Sequence, residues 1–242
     1  QVVVPPMYRK HRDDLQALTV RDTAPAGASP QIFPISPPPA QFNGERADHY
    51  NALCGLTIFR DGALGADYLN DAFVCESLTN LILHRKLTPD GAIYVADRKN
   101  SPQAFLASTD PWFHPVALAT GPDGGLYGAD FYRQYVEHPR YVASETARAE
   151  TEWQRGKDRG RIWRIGTAPA DNAATPRLSN ESTAKLVETL DHPNGWHRDT
   201  AQRLLIERAD PAAIRLLAAL FPRATSAQGK LHAAWTLPRL GG

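Results

Sequence analysis

The sequence has few cysteines, no excess of one charge and no long apolar run, and each absence excludes a class of protein. Lysine and arginine number 27 against 26 acidic residues, which leaves a formal net charge of +1. So close a balance provides no field that would draw the chain to nucleic acid. No stretch approaches the roughly 18 apolar residues of a membrane-spanning helix. The sequence therefore predicts no general nucleic-acid binding and no transmembrane segment.

Only two cysteines are present, Cys54 and Cys75, each in a segment with the composition of a β-strand. They form no C-x-x-C metal knuckle and no C-x-x-C-H haem site. Two buried thiols and a disulfide both stay open as interpretations. The first residues lack the features of a signal peptide, but the chain begins at Gln1 rather than methionine, so this lack says little about the compartment.

A proline-rich beginning gives way to a pattern of short strands. Residues 1–40 carry much of the proline, which predicts an irregular segment. Residues 41–168 alternate β-rich runs with turn signals, which predicts an antiparallel β region. The runs lie at 56–59, 72–75, 81–83, 92–95, 116–118, 126–127 and 161–165.

Asp-Gly pairs recur along the β region, at 61–62, 90–91 and 123–124, spaced 29 and 33 residues apart. Such pairs supply the positive φ that tight hairpins need. A recurring hairpin predicts the blades of a β-propeller. Closed propellers use at least about four blades of roughly 40–50 residues, and this region holds roughly three. We therefore expect a partial propeller that belongs to a longer protein.

The C-terminal part has a helical period instead. Residues 169–180 are small, polar and proline-containing, as in an interdomain linker. Within 181–242, Leu186 and Leu216 occupy matching helix positions, as do Leu205 and Leu237, at offsets of 30 and 32 residues. Paired amphipathic helices at this spacing predict HEAT-like α-solenoid repeats, too few here for a complete array. The predicted fold is thus mainly β with an α-helical C-terminal part.

Several longer motifs resemble one bacterial protein family. They are Cys54-Gly-Leu-Thr-Ile-Phe-Arg60, Phe73-Val-Cys-Glu76, Phe105-Leu-Ala-Ser-Thr-Asp-Pro-Trp-Phe-His-Pro115, Gly121-Pro-Asp-Gly124, Asp130-Phe-Tyr-Arg133, Glu137-His-Pro139, Gly156-Lys-Asp-Arg-Gly-Arg-Ile-Trp-Arg-Ile165, His192-Pro-Asn-Gly-Trp196 and Arg198-Asp-Thr-Ala-Gln-Arg-Leu-Leu205. This set is similar to that of the bacterial membrane-bound dehydrogenase family. Its members carry a sugar-dehydrogenase-like (sorbosone-dehydrogenase-like) propeller, then HEAT repeats, then usually a C-terminal c-type haem domain.

The resemblance implies a periplasmic or otherwise extracytoplasmic protein that is membrane-associated and oxidises a sugar or alcohol. It also implies pyrroloquinoline quinone and calcium as cofactors, with electrons passing to a haem domain or c-type cytochrome outside these residues. One departure is at His114, where related sequences carry arginine. An imidazole there replaces a guanidinium that could clamp an anion.

The predicted site residues follow the β-rich runs. His114 is the candidate general base, since an imidazole titrates near neutral pH; the alternative is a packed, hydrogen-bonded histidine. A possible polar cluster could orient a polyol, or hold calcium through its two acids; the alternative is a salt-bridged corner. Its members are Asp130, Tyr132, Arg133, Glu137 and His138, with Asp130 and Glu137 as the metal ligands.

The remaining candidates have plainer alternatives. His84 and Arg85 could reach a cofactor at the propeller axis, or form the solvated end of a blade. Residues 121–124 serve better as a tight turn than as calcium ligands. In the helical part, Arg198 and Asp199 are expected to form an ion pair within one repeat. The alternative to an enzyme is a non-catalytic scaffold that binds protein partners or polysaccharide.

Overall fold

The structure is a computed structural model with an antiparallel β region followed by a set of helices. This confirms the prediction of antiparallel strands followed by a helical C-terminal part, but the described chain is mixed α/β rather than mainly β. No sheet closes into a barrel within the described residues. Most of the proline-rich segment 1–40 and residues 169–175 of the predicted linker lie outside the described residues. The structure describes residues 21–22, 31–37, 48–91, 93–97, 103–167 and 176–241.

The strands of the described chain form two sheets. The strands are β1 Arg21–Asp22, β2 Leu53–Ile58, β3 Ala72–Glu76, β4 Leu81–Asp90, β5 Ile93–Asp97, β6 Leu106–Ala107, β7 Pro115–Thr120, β8 Leu126–Asp130 and β9 Arg161–Ile165. Their order is β1-β5-β4-β3-β2 in one sheet, with β6 also paired to β4, and β7-β8-β9 in the other. The pairs β3–β4 and β4–β5 are antiparallel, whereas the two-residue β1 runs parallel to β5.

Two of the three predicted Asp-Gly hairpins are present. Gly91 follows β4 with φ +62°, and Gly124 lies between β7 and β8 with φ +79°. The prediction is wrong at Gly62, which lies in the long connection between β2 and β3 and forms no tight hairpin turn. There the Asp61 carboxylate accepts a hydrogen bond from the Ala63 amide (2.8 Å), which makes the turn without a left-handed glycine.

Four of the five described helices begin at a side-chain cap. Ser144, Ser182, Asn194 and Ser226 each accept a hydrogen bond from a first-turn amide. The helices are α1 Glu145–Glu150, α2 Thr183–Thr189, α3 Gly195–Arg208, α4 Ala212–Arg223 and α5 Ala227–Thr236. The last four bury one apolar cluster that includes Leu186, Leu190, Leu205, Leu217 and Ala233. None of the described helices has the length and apolarity to cross a membrane.

The predicted pairing of Arg198 with Asp199 is wrong. Arg198 donates to the carbonyls of His192 and Pro193, at 2.6 and 2.7 Å. Asp199 instead accepts from the guanidinium of Arg60. Adjacent residues on a helix point in different directions, so each finds a partner on a separate segment.

Contacts divide the chain into two compact units, each built from separate stretches of sequence. The first comprises the described residues within 1–57, 71–117 and 130–161. The second comprises those within 58–70, 118–129 and 162–242. The domain boundaries predicted from the sequence, with a linker at 169–180, stay a prediction. All the residues of the candidate site lie in the first unit.

Candidate functional site

His114 lies directly before β7 and is almost wholly buried, with 2% of its surface exposed. Its Nδ1 lies 2.5 Å from the carbonyl oxygen of Ser77. A carbonyl only accepts, so Nδ1 carries the proton and Nε2 carries the lone pair. Nε2 has no hydrogen-bond partner within the described chain. The residue is therefore packed and hydrogen-bonded, yet its second nitrogen is not engaged.

Burial lowers the pKa of His114 because it disfavours the charged imidazolium. The carbonyls of Ser77 and Arg133 and the carboxylates of Asp130 and Asp110 act in the opposite direction, and burial outweighs them. The ring is therefore neutral at neutral pH. A neutral imidazole with a free lone pair is the form that a general base requires.

Asp130 is the last residue of β8 and is 3% exposed. One of its oxygens, Oδ1, accepts hydrogen bonds from the backbone amides of His114 and Tyr132, each at 2.9 Å. The carboxylate thus holds together two chain segments that both contain candidate residues. Asp130 therefore positions the backbone at His114 and Tyr132, a role that the sequence does not reveal.

Tyr132 adopts a left-handed conformation, φ +44°, which is unusual for a residue with a side chain. Its hydroxyl donates to Oδ2 of Asp110 at 2.9 Å, and that bond raises the pKa of the phenol. The guanidinium of Arg161 lies 3.7 Å from the centre of its ring. The Trp112 ring is 5.9 Å away, centroid to centroid.

These contacts form part of a larger group, the arginine–aromatic cluster, in which each of three guanidinium groups lies over an aromatic ring. Besides Arg161 over Tyr132, Arg133 lies 4.8 Å from the Phe131 centroid and Arg155 lies 5.7 Å from the Trp112 centroid. Such cation–π contacts orient the cation without neutralising its charge. The members are Trp112, Phe131, Tyr132, Arg133, Arg155 and Arg161.

A glycine allows the two halves of this cluster to meet. Gly156 has φ +90°, and a Cβ there would lie 2.9 Å from the carbonyl oxygen of Tyr132. Only glycine accommodates both the conformation and this approach. The loop that carries Arg155 can therefore pack directly on the segment 131–133.

Of the remaining members of the predicted polar cluster, His138 makes its contacts within its own loop. The exposed His138 accepts at Nδ1 from the Arg140 amide (3.1 Å), and its ring contacts Tyr141. Glu137 is half-buried. No three His, Cys, Asp or Glu side chains come together as a metal-binding group in the described ranges. Calcium binding by Asp130 and Glu137 stays a prediction.

His84 and Arg85 lie in the interior of β4, where both are engaged. His84 Nε2 lies 2.8 Å from Oδ2 of Asp71, a carboxylate that is 1% exposed. Lys86 reaches the same oxygen at 3.3 Å. Arg85 donates to the His84 carbonyl oxygen at 2.8 Å and to the hydroxyl of Tyr50. These contacts stabilise the sheet. Cofactor binding by His84 and Arg85 stays a prediction.

The tight turn predicted at 121–124 is present, closed by the Gly121 amide on the Gly125 carbonyl at 2.8 Å. Two of its carbonyls already accept hydrogen bonds. Asn194 Nδ2 donates to Gly121 at 2.9 Å, and His197 Nε2 lies 2.9 Å from the Pro122 oxygen. The turn therefore anchors the start of α3 rather than offering those oxygens to a cation.

A family model described as "Domain of unknown function (DUF7133)" matches residues 1–168 of the chain. The chain therefore belongs to this family. No curated protein matches it. No solved structure matches it.

Proposed function

We propose that this member of the DUF7133 family is a binding module for acidic polysaccharide, and that the arginine–aromatic cluster is its binding surface. The observation that carries the proposal is the set of three guanidinium groups, each laid over an aromatic ring. In architecture we propose a partial β-propeller followed by HEAT-like helices, a non-catalytic scaffold at an extracytoplasmic location.

Two arginines of the cluster donate hydrogen bonds to uncharged partners. Arg133 bonds Gln154, and Arg155 bonds the side chain of Gln134. All these partners are uncharged, so neither guanidinium is neutralised by a carboxylate within the described chain. Planar guanidinium groups bind carboxylates and sulfates through paired hydrogen bonds. Uronic acid and sulfated sugars present such groups at regular intervals along a chain.

Aromatic surface supplies the second half of carbohydrate recognition. Phe131 is 44% exposed and lies beside these cations. An exposed ring can pack on the apolar face of a sugar. The combination favours a polymer that is both a carbohydrate and an anion over a neutral glycan.

Affinity measurements on a polysaccharide panel test the proposal. We expect the protein to bind a polyuronate or a sulfated glucan and not neutral dextran, with affinity that falls as salt rises. Arg155→Gln should weaken binding about 5–10-fold, since tenfold corresponds to about 1.4 kcal/mol. Arg215→Gln removes the same charge from an exposed position on α4 and should leave affinity unchanged. Equal affinity for dextran, or equal loss in both variants, would refute the proposal.

A second candidate function is the sugar or alcohol dehydrogenase that the family resemblance implies. The observation that favours it is His114, a neutral imidazole whose Nε2 has no partner. Pyrroloquinoline quinone, when bound, would accept the electrons taken from the substrate. This chain's own part would be to accept the hydroxyl proton at Nε2, while Ser77 and Asp130 hold the residue in place.

Dye reduction by protein supplied with the quinone, calcium and a panel of sugars and alcohols tests this candidate. His114→Gln should lower the rate at least about 100-fold, the usual contribution of a general base. Arg215→Gln should not change it. Absence of dye reduction with every substrate would exclude the dehydrogenase function while leaving polysaccharide binding open.

A further inference from the structure

The chain's two cysteines lie on neighbouring strands. Cys54 is in β2 and Cys75 is in β3, and these strands are adjacent in the first sheet. Both are free thiols in the structure. The sequence contains no third cysteine that could compete for either.

Backbone hydrogen bonds set the alignment of the two strands. The Ser77 amide donates to the Ala52 carbonyl at 3.2 Å, and the Asn70 amide donates to the Phe59 carbonyl at 2.7 Å. From the first bond to the second, the residue number increases in β2 and decreases in β3, so the two strands are antiparallel. The left-handed Gly55 interrupts β2 beyond Cys54, so the register at the cysteines is counted from the Ala52–Ser77 bond alone. Two residues inward from that bond, Cys54 is placed opposite Cys75.

Opposed residues of an antiparallel pair project from the same face. Their Cα atoms are about 4.5–5.5 Å apart, according to the position in the ladder. A disulfide spans Cα separations of about 4.4–6.8 Å. The Cα separation expected for opposed residues therefore falls within the range that a disulfide spans.

We propose that Cys54 and Cys75 form a reversible disulfide, and that the reaction partner is a low-molecular-weight or protein disulfide. One cysteine, as its thiolate, attacks a sulfur of that partner and releases the first thiol. The second cysteine, as its thiolate, then attacks the protein sulfur of the mixed disulfide and releases the second thiol. Two electrons and two protons pass to the partner disulfide, and one sulfur–sulfur bond forms in the protein.

The two thiols differ in access, which sets the order of attack. Cys54 is half-buried, whereas Cys75 is fully buried. Burial raises the pKa of Cys54, and it raises the pKa of Cys75 to about 12, with a further contribution from Cys54. Cys54 is therefore the entry thiol. Closure is faster at alkaline pH, because thiolates carry out the attack.

The crosslink would brace the candidate base. Cys75 is two residues before Ser77, whose carbonyl oxygen holds His114 Nδ1. The sulfur of Cys54 lies 3.6 Å from the carbonyl oxygen of Pro115, next to His114. A disulfide would therefore join β3, which leads to Ser77, to β2, whose Cys54 contacts the residue next to His114.

Intact-mass analysis of the full chain, refolded with either oxidised or reduced glutathione and then alkylated in denaturant, tests the proposal. Oxidised protein should take up no alkyl group and weigh two hydrogens less, and reductant should reverse both changes. Its Tm should exceed that of reduced protein by about 5–10 °C. Cys54→Ser should keep one alkylated thiol and show no glutathione-dependent change in Tm.

Three outcomes would overturn the proposal. The first is two alkylated cysteines after oxidation. The second is a glutathione adduct on Cys54 beside a free Cys75. The third is a crosslinked dimer in place of the internal bond. Cys75→Ala supplies an independent control that introduces no buried hydroxyl, and its Tm should be equally insensitive to glutathione.

Discussion

Replacing Glu76 by glutamine should destabilise the protein through one buried amide. Glu76 is fully buried at the end of β3. Its Oε1 accepts from the amides of Asn51 (2.9 Å) and Ala52 (2.5 Å). Its Oε2 accepts from the amide and the hydroxyl of Thr79, at 2.8 and 2.5 Å. One carboxylate therefore satisfies four donors from two separate chain segments.

Glutamine can keep only half of this arrangement. Its carbonyl oxygen can still accept from the two upstream amides. Its NH₂ group then faces the Thr79 amide, and two donors cannot bond each other. A buried donor left without an acceptor costs about 1–3 kcal/mol, and loss of the charge weakens the remaining bonds. We expect Glu76→Gln to lower the free energy of unfolding by about 2–3 kcal/mol, and Glu76→Ala to lower it by at least about 4 kcal/mol.

Urea unfolding followed by tryptophan fluorescence measures these changes, with Thr79→Val as the matched variant. Valine removes only the hydroxyl donor and keeps the shape, so it should lower the free energy by about 1 kcal/mol. If Glu76→Gln lies within about 0.5 kcal/mol of the wild type, the Thr79 amide does not depend on this carboxylate and the reasoning fails.

Three further predictions concern a buried histidine, a glycine and a hydrogen-bonded carboxylate. Because burial lowers the pKa of His114, the unfolded chain binds a proton below about pH 6.5 that the folded protein does not. Stability should therefore fall as pH falls from about 7 to 5, less steeply in His114→Asn, as urea midpoints would show. Gly55 has φ +60°, and a Cβ there would lie 2.7 Å from the Ala117 Cα. Gly55→Ala should therefore lower the free energy of unfolding by about 2–4 kcal/mol in thermal unfolding, whereas Gly62→Ala should leave it almost unchanged. Burial disfavours the Asp191 carboxylate, but hydrogen bonds from Ser226 and Thr225 outweigh this effect and hold its pKa at about 2. These bonds should contribute about 1–2 kcal/mol to the free energy of unfolding. In acid titrations that contribution should disappear between about pH 4 and 2, and it should be missing from Asp191→Ala.

Local patterns in the sequence are sufficient to locate most strands and helices. The Asp-Gly pairs at 90–91 and 123–124 form their turns within a few residues, so the local sequence alone reveals them. The pair at 61–62 shows the limit of this approach. A carboxylate that accepts a hydrogen bond from the backbone amide two residues later can form a turn by itself. The dipeptide Asp-Gly occurs both in such turns and in tight hairpins, so the sequence does not distinguish them.

The candidate site depends on long-range contacts that the sequence does not show. His114 and Asp130 are predictable as residue types, but the carboxylate's bonds to two backbone amides arise only once β7 and β8 are placed. Arg155 and Arg161 lie more than twenty residues from the aromatic rings that they cover. No short motif marks such pairs, and the sequence prediction missed Trp112 and both arginines for that reason.

Hydrogen–deuterium exchange with and without a saturating polyuronate tests most directly whether the arginine–aromatic cluster is the binding surface. We predict slower exchange at residues 131–134 and 153–161, which carry the three arginines, and no change in helices α3–α5. Protection confined to those helices, or no protection at saturation, would contradict the proposed function.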